Sequence, residues 1–301
     1  MIHVVKAPPY LAVQDAGRVG FRRMGVPLAG AMDQWALASG NALVGNPSGA
    51  AGLEWALGGG AIRFDSACDV AITGAKVDAT IGSATLVQDE AVRARPGDML
   101  DIRRIVRGRF AYVTVGGGIT VDAVLGSRST YLPAAFGGFN GRLLRTGDIV
   151  PHGDATQVAR SASPRFLETI HDYDDTIVRA ISNPFAPPEL RDQFFDRAYV
   201  VSVASDRTGY RMEGAPIDTG RFGGILSVAT CPGAIQLPPS GLPIVLLADA
   251  PTVGGYLVLA VVCDVDLPII AQRSPGDRLR FETIDVEEAQ SLARVRAARL
   301  T

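Results

Sequence analysis

The sequence predicts a mainly β protein with a few short helices, organised as two domains. Runs such as AIRF, FAYVTV and IVLLAD alternate with a period of two residues and are separated by glycines, which is typical of many short strands. A chain of 301 residues exceeds the usual size of a single core, so two domains of ordinary size are expected. A turn motif that recurs along the chain supports the same organisation.

Three segments carry helical patterns. DQWALASGNALVG (33–45) has apolar residues at helical spacing and ends at a Gly-Asn-Pro stop. PPELRDQFF (187–195) begins with prolines, which suit a first helical turn. The C-terminal segment 286–300 has an apolar stripe, with Asp285 as the predicted cap and Glu288 placed to complete a capping box. We expect this last helix to be structural.

The repeated turn motif is Pro-Gly-Asp-x-Leu-x-apolar. It occurs in RPGDMLDI (95–102) and SPGDRLRF (274–281), and RTGDIV (145–150) is a weaker third copy. Pro-Gly fits the two central positions of a type II turn, and the alternation after it fits a strand. Near mid-chain, HGDATQVARSASP has the polar composition of a linker. We therefore predict two related β domains, 1–155 and 156–301.

The composition argues against several classes of function. A formal net charge of -2 provides no basic field for neutralising phosphates, which argues against nucleic-acid binding. The longest apolar run, 256–263, is far below the ~20 residues that a membrane span needs. Cys68, Cys231 and Cys263 are widely spaced and form no zinc-binding pattern with the three histidines. We expect reduced, mostly buried thiols and no metal site in a soluble cytoplasmic protein.

Familiar catalytic signatures are absent from the sequence, including the phosphate loop, the nucleophile elbow, H-E-x-x-H and the Rossmann glycine fingerprint. Polar clusters in glycine-shaped loops stand out instead: QDAGRVG, VGGGITVDAVLGSRSTYL, FGGFNGRLLRTGD, SDRTGYRMEG and AIQLPPSGLPIVLLAD. Gly and Pro fix the backbone, while Arg, Asp, Ser and Thr can bind an anionic or amide-bearing ligand. The most suggestive cations are Arg128, Arg142, Arg207 and Arg211. A structural salt bridge or a carbonyl-capping role is the alternative for any one of them.

Taken in order, these motifs resemble those of a known family. QDAGRxG…GVPxxGAMD, VLGSRSTYL, GGxxGRxLxxGD, S-D-R-x-G-x-R-x-x-G and G-x-IQ-x-PPSG-x-PIVLLAD are similar to the motifs of the C-type subunits of 5-oxoprolinase. That family is also called the KipA-like or allophanate hydrolase subunit 2 family. It is similar to part of the carboxyltransferase domain of urea carboxylase. The resemblance extends from about Gln14 to Phe281, which is most of the chain.

The resemblance implies two tandem cyclophilin-like β-barrel domains and a KipI-like protein, the B-type subunit of 5-oxoprolinase, as partner. It also implies a third subunit, together with which the complex opens 5-oxoproline to glutamate with ATP, so that this chain alone is inactive. One alternative is a carboxyltransferase-type component that acts on urea or a related amide, with carboxybiotin as the donor. Another is a KipA-like regulatory protein that binds a KipI-like kinase inhibitor.

The family motifs contain the candidate site residues. We predict Arg128, Arg142 and Asp15 as catalytic residues, with both arginines lining a cleft of the first domain, where Arg donors can polarise a small amide or lactam. The predicted substrate-binding residues are Ser129, Thr130, Tyr131, Arg207, Arg211, Gln236 and Asp249. The predicted partner-contact residues are Arg22, Arg23 and Met24, because the glycines of loop 14–33 would present them outward.

Two segments depart from the family pattern. Where members commonly read ADRQTTGGYPK, this chain reads ADAPTVGGYLV, so that Ala250 and Pro251 replace Arg and Gln, and Leu257-Val258 replaces Pro-Lys. The change removes two cations from a candidate site, which argues against carboxyl transfer and weakens the 5-oxoprolinase assignment. SNPFA (182–186) also departs from a Gly-Pro that is common there.

Overall fold

The computed structural model describes residues 1–154, 176–220 and 225–298, and these residues divide into two compact units. Unit 1 holds the described residues of Met1–Val19 and Ala29–Ile170. Unit 2 holds those of Gly20–Leu28 and His171–Arg299. The domain boundary predicted between residues 155 and 156 lies outside the described residues, as does most of the predicted linker.

Unit 1 is built on an antiparallel sheet of long and short strands. Its strands are β1 (Ile2–Lys6), β2 (Tyr10–Gln14), β3 (Gly52–Ala56), β4 (Gly60–Phe64), β5 (Cys68–Ile81), β6 (Ala84–Thr85), β7 (Val92–Ala94), β8 (Met99–Val115) and β9 (Ile149–Val150). The central path runs β2-β3-β8-β4-β1-β9, and the long strand β5 pairs with β6, β7 and β8. Strand β8 therefore holds the sheet together, because β3, β4 and β5 all pair with it.

The interior of unit 1 contains a fully buried carboxylate. Glu54 on β3 accepts hydrogen bonds from the Tyr10 hydroxyl at 2.9 Å, the Tyr112 hydroxyl at 2.8 Å and the Met32 backbone N–H at 2.8 Å. Helix α1 (Gln34–Leu43) begins directly after this contact, with Asp33 accepting a bond from the Ala36 N–H as the N-cap. The network thus fixes where the loop before α1 enters the core.

Unit 2 is a closed barrel. Its barrel strands are β10 (Ile177–Ser182), β11 (Ala198–Val201), β12 (Gly209–Glu213), β14 (Ala234–Leu237), β15 (Ile244–Leu246), β17 (Leu257–Val262) and β18 (Arg278–Thr283). They follow the order β10-β17-β14-β15-β12-β11-β18, and a parallel pairing of β10 with β18 closes the ring. Two short strands, β13 (Val228–Ala229) and β16 (Val253–Gly254), form a separate ribbon.

Three helices accompany the barrel of unit 2: α2 (Pro188–Phe195), α3 (Leu267–Ala271) and α4 (Val286–Ala297). Helix α2 buries Leu190 and Phe194, and Phe194 packs on Tyr199 and Phe281 with ring centroids 5.5 and 4.9 Å apart. Asp285 caps α4 by accepting a bond from the Glu288 N–H at 2.7 Å. The Asp285 cap confirms the predicted start of α4, and α2 begins at Pro188, one residue after the predicted start.

The repeated turn motif adopts the same conformation three times. In each copy the first residue donates its N–H to the Asp side chain three positions on: Arg95 to Asp98 at 2.8 Å, Arg145 to Asp148 at 2.7 Å, and Ser274 to Asp277 at 2.7 Å. The central glycines have φ of 87°, 94° and 94°, as a type II turn requires. A strand follows each turn. The turn predicted from the sequence is confirmed, including its weaker third copy.

The predicted mainly β fold is confirmed, and the three predicted helices are present with ends within a few residues of those expected. Helix α3 was not predicted, because its apolar run LPIIA is too short for its period to be distinguished from that of a buried strand. None of the helices within the described ranges is long and apolar enough to cross a membrane.

Candidate functional site

The carboxylate of Asp15 joins two of the predicted loops in unit 1. It accepts hydrogen bonds from the hydroxyls of Ser127 at 2.6 Å and Ser129 at 2.5 Å, and from the backbone N–H groups of Gly17 at 2.8 Å and Arg128 at 2.5 Å. Asp15 is buried, and three of these bonds reach its Oδ1 and one reaches its Oδ2. In this structure the carboxylate organises the loop 127–129, and its predicted catalytic role stays a prediction.

Arg18, in the same N-terminal loop, is a fully buried arginine that was not among the predicted site residues. Its Nε donates to the Val124 carbonyl at 3.2 Å, Nη2 donates to the Ser129 carbonyl, and the guanidinium lies 4.6 Å from the Phe136 ring centroid. The one sequence feature that pointed to Arg18 was its position in the polar, glycine-shaped motif QDAGRVG. Arg18 thus fixes the segment 124–129 by donating to its carbonyls, whereas Asp15 fixes it by accepting from its hydroxyl and N–H groups.

The predicted substrate-binding residues Ser129 and Thr130 are both fully buried. The Thr130 hydroxyl donates to the Val13 carbonyl at 3.0 Å, and the Thr130 N–H donates to the same oxygen. Tyr131 is half-buried and packs on Phe136, with ring centroids 5.5 Å apart. These side chains hold the loop against strand β2.

The two predicted catalytic arginines have different surroundings. Arg128 donates from Nε to the Val121 carbonyl at 2.8 Å. Arg142 forms a bidentate ion pair with Asp148, with bonds of 2.7 and 2.9 Å. Arg142 lines a pocket of about 530 Å³, and Arg128 does not. The structure therefore does not bring the two arginines together at this pocket.

The pocket lies between residues 7–9, Leu132 and residues 141–146. Its walls are mostly apolar, and its two charged lining residues are Arg142 and Arg145. Bonding to Asp148 raises the pKa of Arg142, and the Arg142 guanidinium holds the pKa of Asp148 below its usual value. Both groups therefore stay ionised at neutral pH.

In unit 2, Arg207 and Asp249 form a buried bidentate pair. Arg207 donates from Nε and Nη2 to the two carboxylate oxygens, at 3.0 Å each. The Asp249 N–H also donates to the Arg207 carbonyl at 3.0 Å. The pair lies just beyond the paired residues of β12 and β15 and continues their ladder, in keeping with a structural salt bridge, the alternative role for this arginine.

Two other predicted residues of unit 2 differ in exposure. Arg211 lies on β12 with an exposed side chain. Gln236 on β14 is buried, and its Nε2 has no hydrogen-bond partner among the described residues. Gly254 faces this amide so closely that a Cβ at position 254 would overlap it. The structure does not show these residues converging with the Arg207–Asp249 pair.

Of the predicted partner-contact residues, Arg22 is anchored within unit 2. Its Nη2 donates to the carbonyls of Thr230 at 2.8 Å and Pro251 at 3.1 Å. Arg23 and Met24 are exposed. Arg22 thus fixes the segment Gly20–Leu28 on unit 2, and only its two neighbours present their side chains outward.

The part of the chain that the structure describes contains no group of three His, Cys, Asp or Glu side chains that could hold a metal ion.

The family model described as carboxyltransferase domain, subdomain A and B, matches residues 24–283. The chain belongs to the carboxyltransferase domain subdomain A and B family. It is 33% identical to the C-type subunit of 5-oxoprolinase from Haemophilus influenzae, covering 98% of this chain and 94% of that protein. It is 34% identical to the Escherichia coli protein of the same name, covering 96% and 93%.

The crystal structure of the K. lactis urea amidolyase matches with a TM-score of 0.91 and 28% identity, covering 99% of this chain and 20% of that one. The resemblance to the C-type subunits of 5-oxoprolinase and to the carboxyltransferase domain is thereby confirmed. Within these motifs, Asp15 bonds to Ser127 and Ser129, Arg142 to Asp148, and Arg207 to Asp249.

The segment after β15, which was predicted to depart from the family pattern, packs into the barrel core at Ala250. Ala250 is fully buried in an apolar cluster with Ala234 and Leu246, and Ile244 and Val258 pack against that cluster. Ala250, at the position where the resemblance implied an arginine, is thus a buried core residue in this chain.

Proposed function

We propose that this chain is the C-type subunit of a 5-oxoprolinase-like complex, which opens 5-oxoproline to glutamate with ATP. The observation that carries the proposal is 33–34% identity over 93–94% of the length of two proteins that are named as the C-type subunit of 5-oxoprolinase. The complex would include a KipI-like subunit and a third subunit, and would work in the cytoplasm.

The geometry supports a subunit that works only with partners. An enzyme that opens a lactam needs free donors aimed at the carbonyl oxygen and a group that moves a proton. Here Asp15 and Asp249 are engaged in bonds within the chain. The pocket beside Arg142 is lined by two arginines, and no lining residue within the described ranges is acidic or a histidine. The remaining catalytic groups would have to come from other subunits.

The experiment is a reconstitution. The chain would be purified alone and together with its KipI-like and third subunits, and ATP-dependent release of glutamate from 5-oxoproline would be measured in every combination. We expect turnover only when all three are present. Turnover by the isolated chain, or no turnover by the full set, contradicts the proposal.

A carboxyltransferase role toward urea or a related amide is the second candidate. It is supported by the TM-score of 0.91 to the K. lactis urea amidolyase. The same preparations, supplied with a carboxybiotin donor and urea in place of ATP and 5-oxoproline, separate the two. Transfer of the carboxyl group to urea would favour this reading.

A further inference from the structure

The β13–β16 ribbon of unit 2 and the turn after β10 expose large apolar side chains. Phe185 and Leu226, at 93% and 91%, are the two most exposed large apolar side chains in the described part of the chain. We use the name ribbon patch for these two residues together with their exposed apolar neighbours, six in all: Phe185, Ile225, Leu226, Val228, Val253 and Tyr256.

Backbone hydrogen bonds hold five of the six residues along the ribbon. The Ile225 N–H donates to the Gly255 carbonyl at 2.9 Å, which places Ile225 and the following Leu226 beside Tyr256. Val228 on β13 pairs with Gly254 on β16, next to Val253. The exposed side chains therefore belong to one continuous piece of structure.

The sixth residue, Phe185, reaches the same place through Asn183. The Asn183 N–H donates to the Leu259 carbonyl at 2.9 Å, and its side chain donates to the Val258 carbonyl at 2.7 Å. These bonds fix the turn that carries Phe185 at the start of β17, and Tyr256 directly precedes that strand. Phe185 thus adds to the patch at the end of the ribbon.

The segments that form the ribbon patch carry no charge. Charged residues make up 20% of the chain, yet the ranges 182–188, 225–233 and 250–258 contain none. Two arginines contact these ranges, and both direct a guanidinium to backbone carbonyls: Arg22 and Arg191. A surface with exposed aromatic side chains and without charges has the composition of the core of a protein–protein interface.

The patch is large enough for a weak interface. At roughly 150–200 Å² for a fully exposed side chain of this size, the six residues present about 600 Å² of apolar surface. That is about as large as the largest apolar patch of a typical monomer, and such patches often mark interaction sites. Two such patches would bury about 1,200 Å² together, near the lower limit of specific protein–protein interfaces.

The properties of the patch suit a second copy of the same surface. Because its segments are uncharged, two copies can meet without like-charge repulsion at the centre, whereas a strongly charged partner would leave its own charges desolvated there. The ribbon pairs with no other strand among the described residues, so it also offers a strand edge. About a two-fold axis, the same edge of two copies can pair in antiparallel fashion.

We propose that the ribbon patch is a self-association surface, through which two copies of this chain form a weak two-fold dimer. The inference goes beyond the proposed function and does not rest on it, because self-association is a property of this chain alone. Failure to dimerise would leave the reconstitution experiment unaffected, and inactivity of the reconstituted complex would leave the dimer intact.

The test is sedimentation velocity of the purified chain over a concentration series from about 1 to about 200 μM. We expect a reversible shift from monomer to dimer with a micromolar dissociation constant, because the buried area is small. The dimer should persist when the NaCl concentration is raised to about 0.5 M, since salt screens charge contacts and leaves apolar ones in place.

Two substitutions place a charge in the patch: Phe185→Asp and Leu226→Asp. Both side chains are almost fully exposed, so each variant should fold as wild type does, and each should weaken association at least ~10-fold because the two-fold axis brings like charges together. Val203→Asp is the matched control. Val203 is 85% exposed but follows β11, and the strand pairing places that end of β11 at the opposite end of the barrel from the start of β17. It should associate as wild type does.

Hydrogen exchange at the two ends of the concentration series locates the contact. Peptides that cover 225–230 and 253–257 should exchange more slowly at the high concentration, whereas peptides that contain Val203 should not change. A chain that stays monomeric at about 200 μM, or a dimer that both patch variants leave intact, overturns the proposal. Binding of the patch to a different protein without self-association overturns it as well.

Discussion

The side-chain amide of Asn183 donates a hydrogen bond to the carbonyl oxygen of Val258, with Nδ2 and O 2.7 Å apart. Both residues lie in segments that depart from the family pattern, SNPFA and the altered run 250–258. The Asn183 N–H also donates to the Leu259 carbonyl, and its Oδ1 accepts from the Phe185 N–H at 3.0 Å. The two departures therefore meet in space, and one stabilises the backbone of the other.

The first prediction concerns this contact. Asn183→Gly should lower the free energy of unfolding of unit 2 by about 1–2 kcal/mol, because a carbonyl of β17 loses its side-chain donor. Hydrogen exchange of peptides that cover β17 measures the loss locally. Asn183→Asp keeps an oxygen that accepts from Phe185, removes the donor and adds a negative charge beside the Val258 carbonyl, so it should also destabilise unit 2. If hydrogen exchange of β17 is the same in Asn183→Asp as in wild type, the Val258 contact contributes nothing to stability.

The second prediction concerns Asp15. Asp15→Ala should lower the free energy of unfolding of unit 1 by about 3 kcal/mol, because it leaves two buried hydroxyls and two N–H groups without their acceptor. Both tryptophans, Trp35 and Trp55, are buried in unit 1, so denaturant unfolding followed by tryptophan fluorescence reports on this unit alone.

The control for Asp15 is Asp122→Ala, which removes an exposed carboxylate from the same unit and should change the unfolding free energy by less than about 0.5 kcal/mol. Equal effects of the two substitutions would mean that the Asp15 network does not stabilise loop 127–129.

The third prediction is an acid dependence of the Arg142–Asp148 pair. Hydrogen bonding from Arg142 lowers the pKa of Asp148 below its ordinary 3.8, so the pair contributes stability above that pH and loses it as the pH falls through the lowered pKa. Asp148→Asn should therefore destabilise unit 1 by about 1–2 kcal/mol at pH 7, and the difference from wild type should shrink as the pH falls further below 3.8.

Asp98→Asn tests the specificity of this effect, because Asp98 accepts the same turn bond but pairs with no guanidinium among the described residues. Tryptophan fluorescence of urea unfolding at several pH values measures both variants. A difference between Asp148→Asn and wild type that stays constant from pH 7 to pH 2.5 would contradict the assignment.

The fourth prediction concerns the thiols. Burial raises the pKa of Cys68 to about 11, partly offset by Arg93, and burial also raises the pKa of Cys263. Cys231 is exposed, although nearby protein atoms desolvate its thiol enough to raise its pKa. At pH 8, iodoacetamide should therefore label Cys231 first and leave Cys68 unmodified in the folded chain, as peptide mass spectrometry would show. Labelling of Cys68 at the rate of Cys231 would contradict the structure.

Local features were predictable from the sequence. The Pro-Gly-Asp turns, the Asp285 cap and the alternating strands all depend on residues within a few positions of one another. The partner of Arg142 was within the same reach, since Asp148 lies six residues away in the motif GRLLRTGD.

The site contacts could not be predicted in this way. Asp15 bonds to Ser129 across 114 positions and Arg207 bonds to Asp249 across 42, and residue type alone does not show which carboxylate a given arginine will meet. The roles of Ser129 and Thr130 were obscured for the same reason, because their hydroxyls could serve either a ligand or the backbone of a distant strand.

The fifth prediction asks whether the altered segment lost a site or gained a core residue. Restoring the family arginine with Ala250→Arg would insert a guanidinium into the apolar cluster of Ala234 and Leu246. Because an unpaired charge in a core is costly, we expect a loss of about 3 kcal/mol or more in the stability of unit 2, measured by hydrogen exchange of peptides from β14 and β15.

The control is Pro251→Gln, which restores the family residue at the neighbouring position. It affects an exposed residue and keeps the carbonyl that accepts from Arg22. It should cost less than about 1 kcal/mol. If Ala250→Arg instead folds as wild type does and accelerates glutamate release by the reconstituted complex, position 250 belongs to the reaction site.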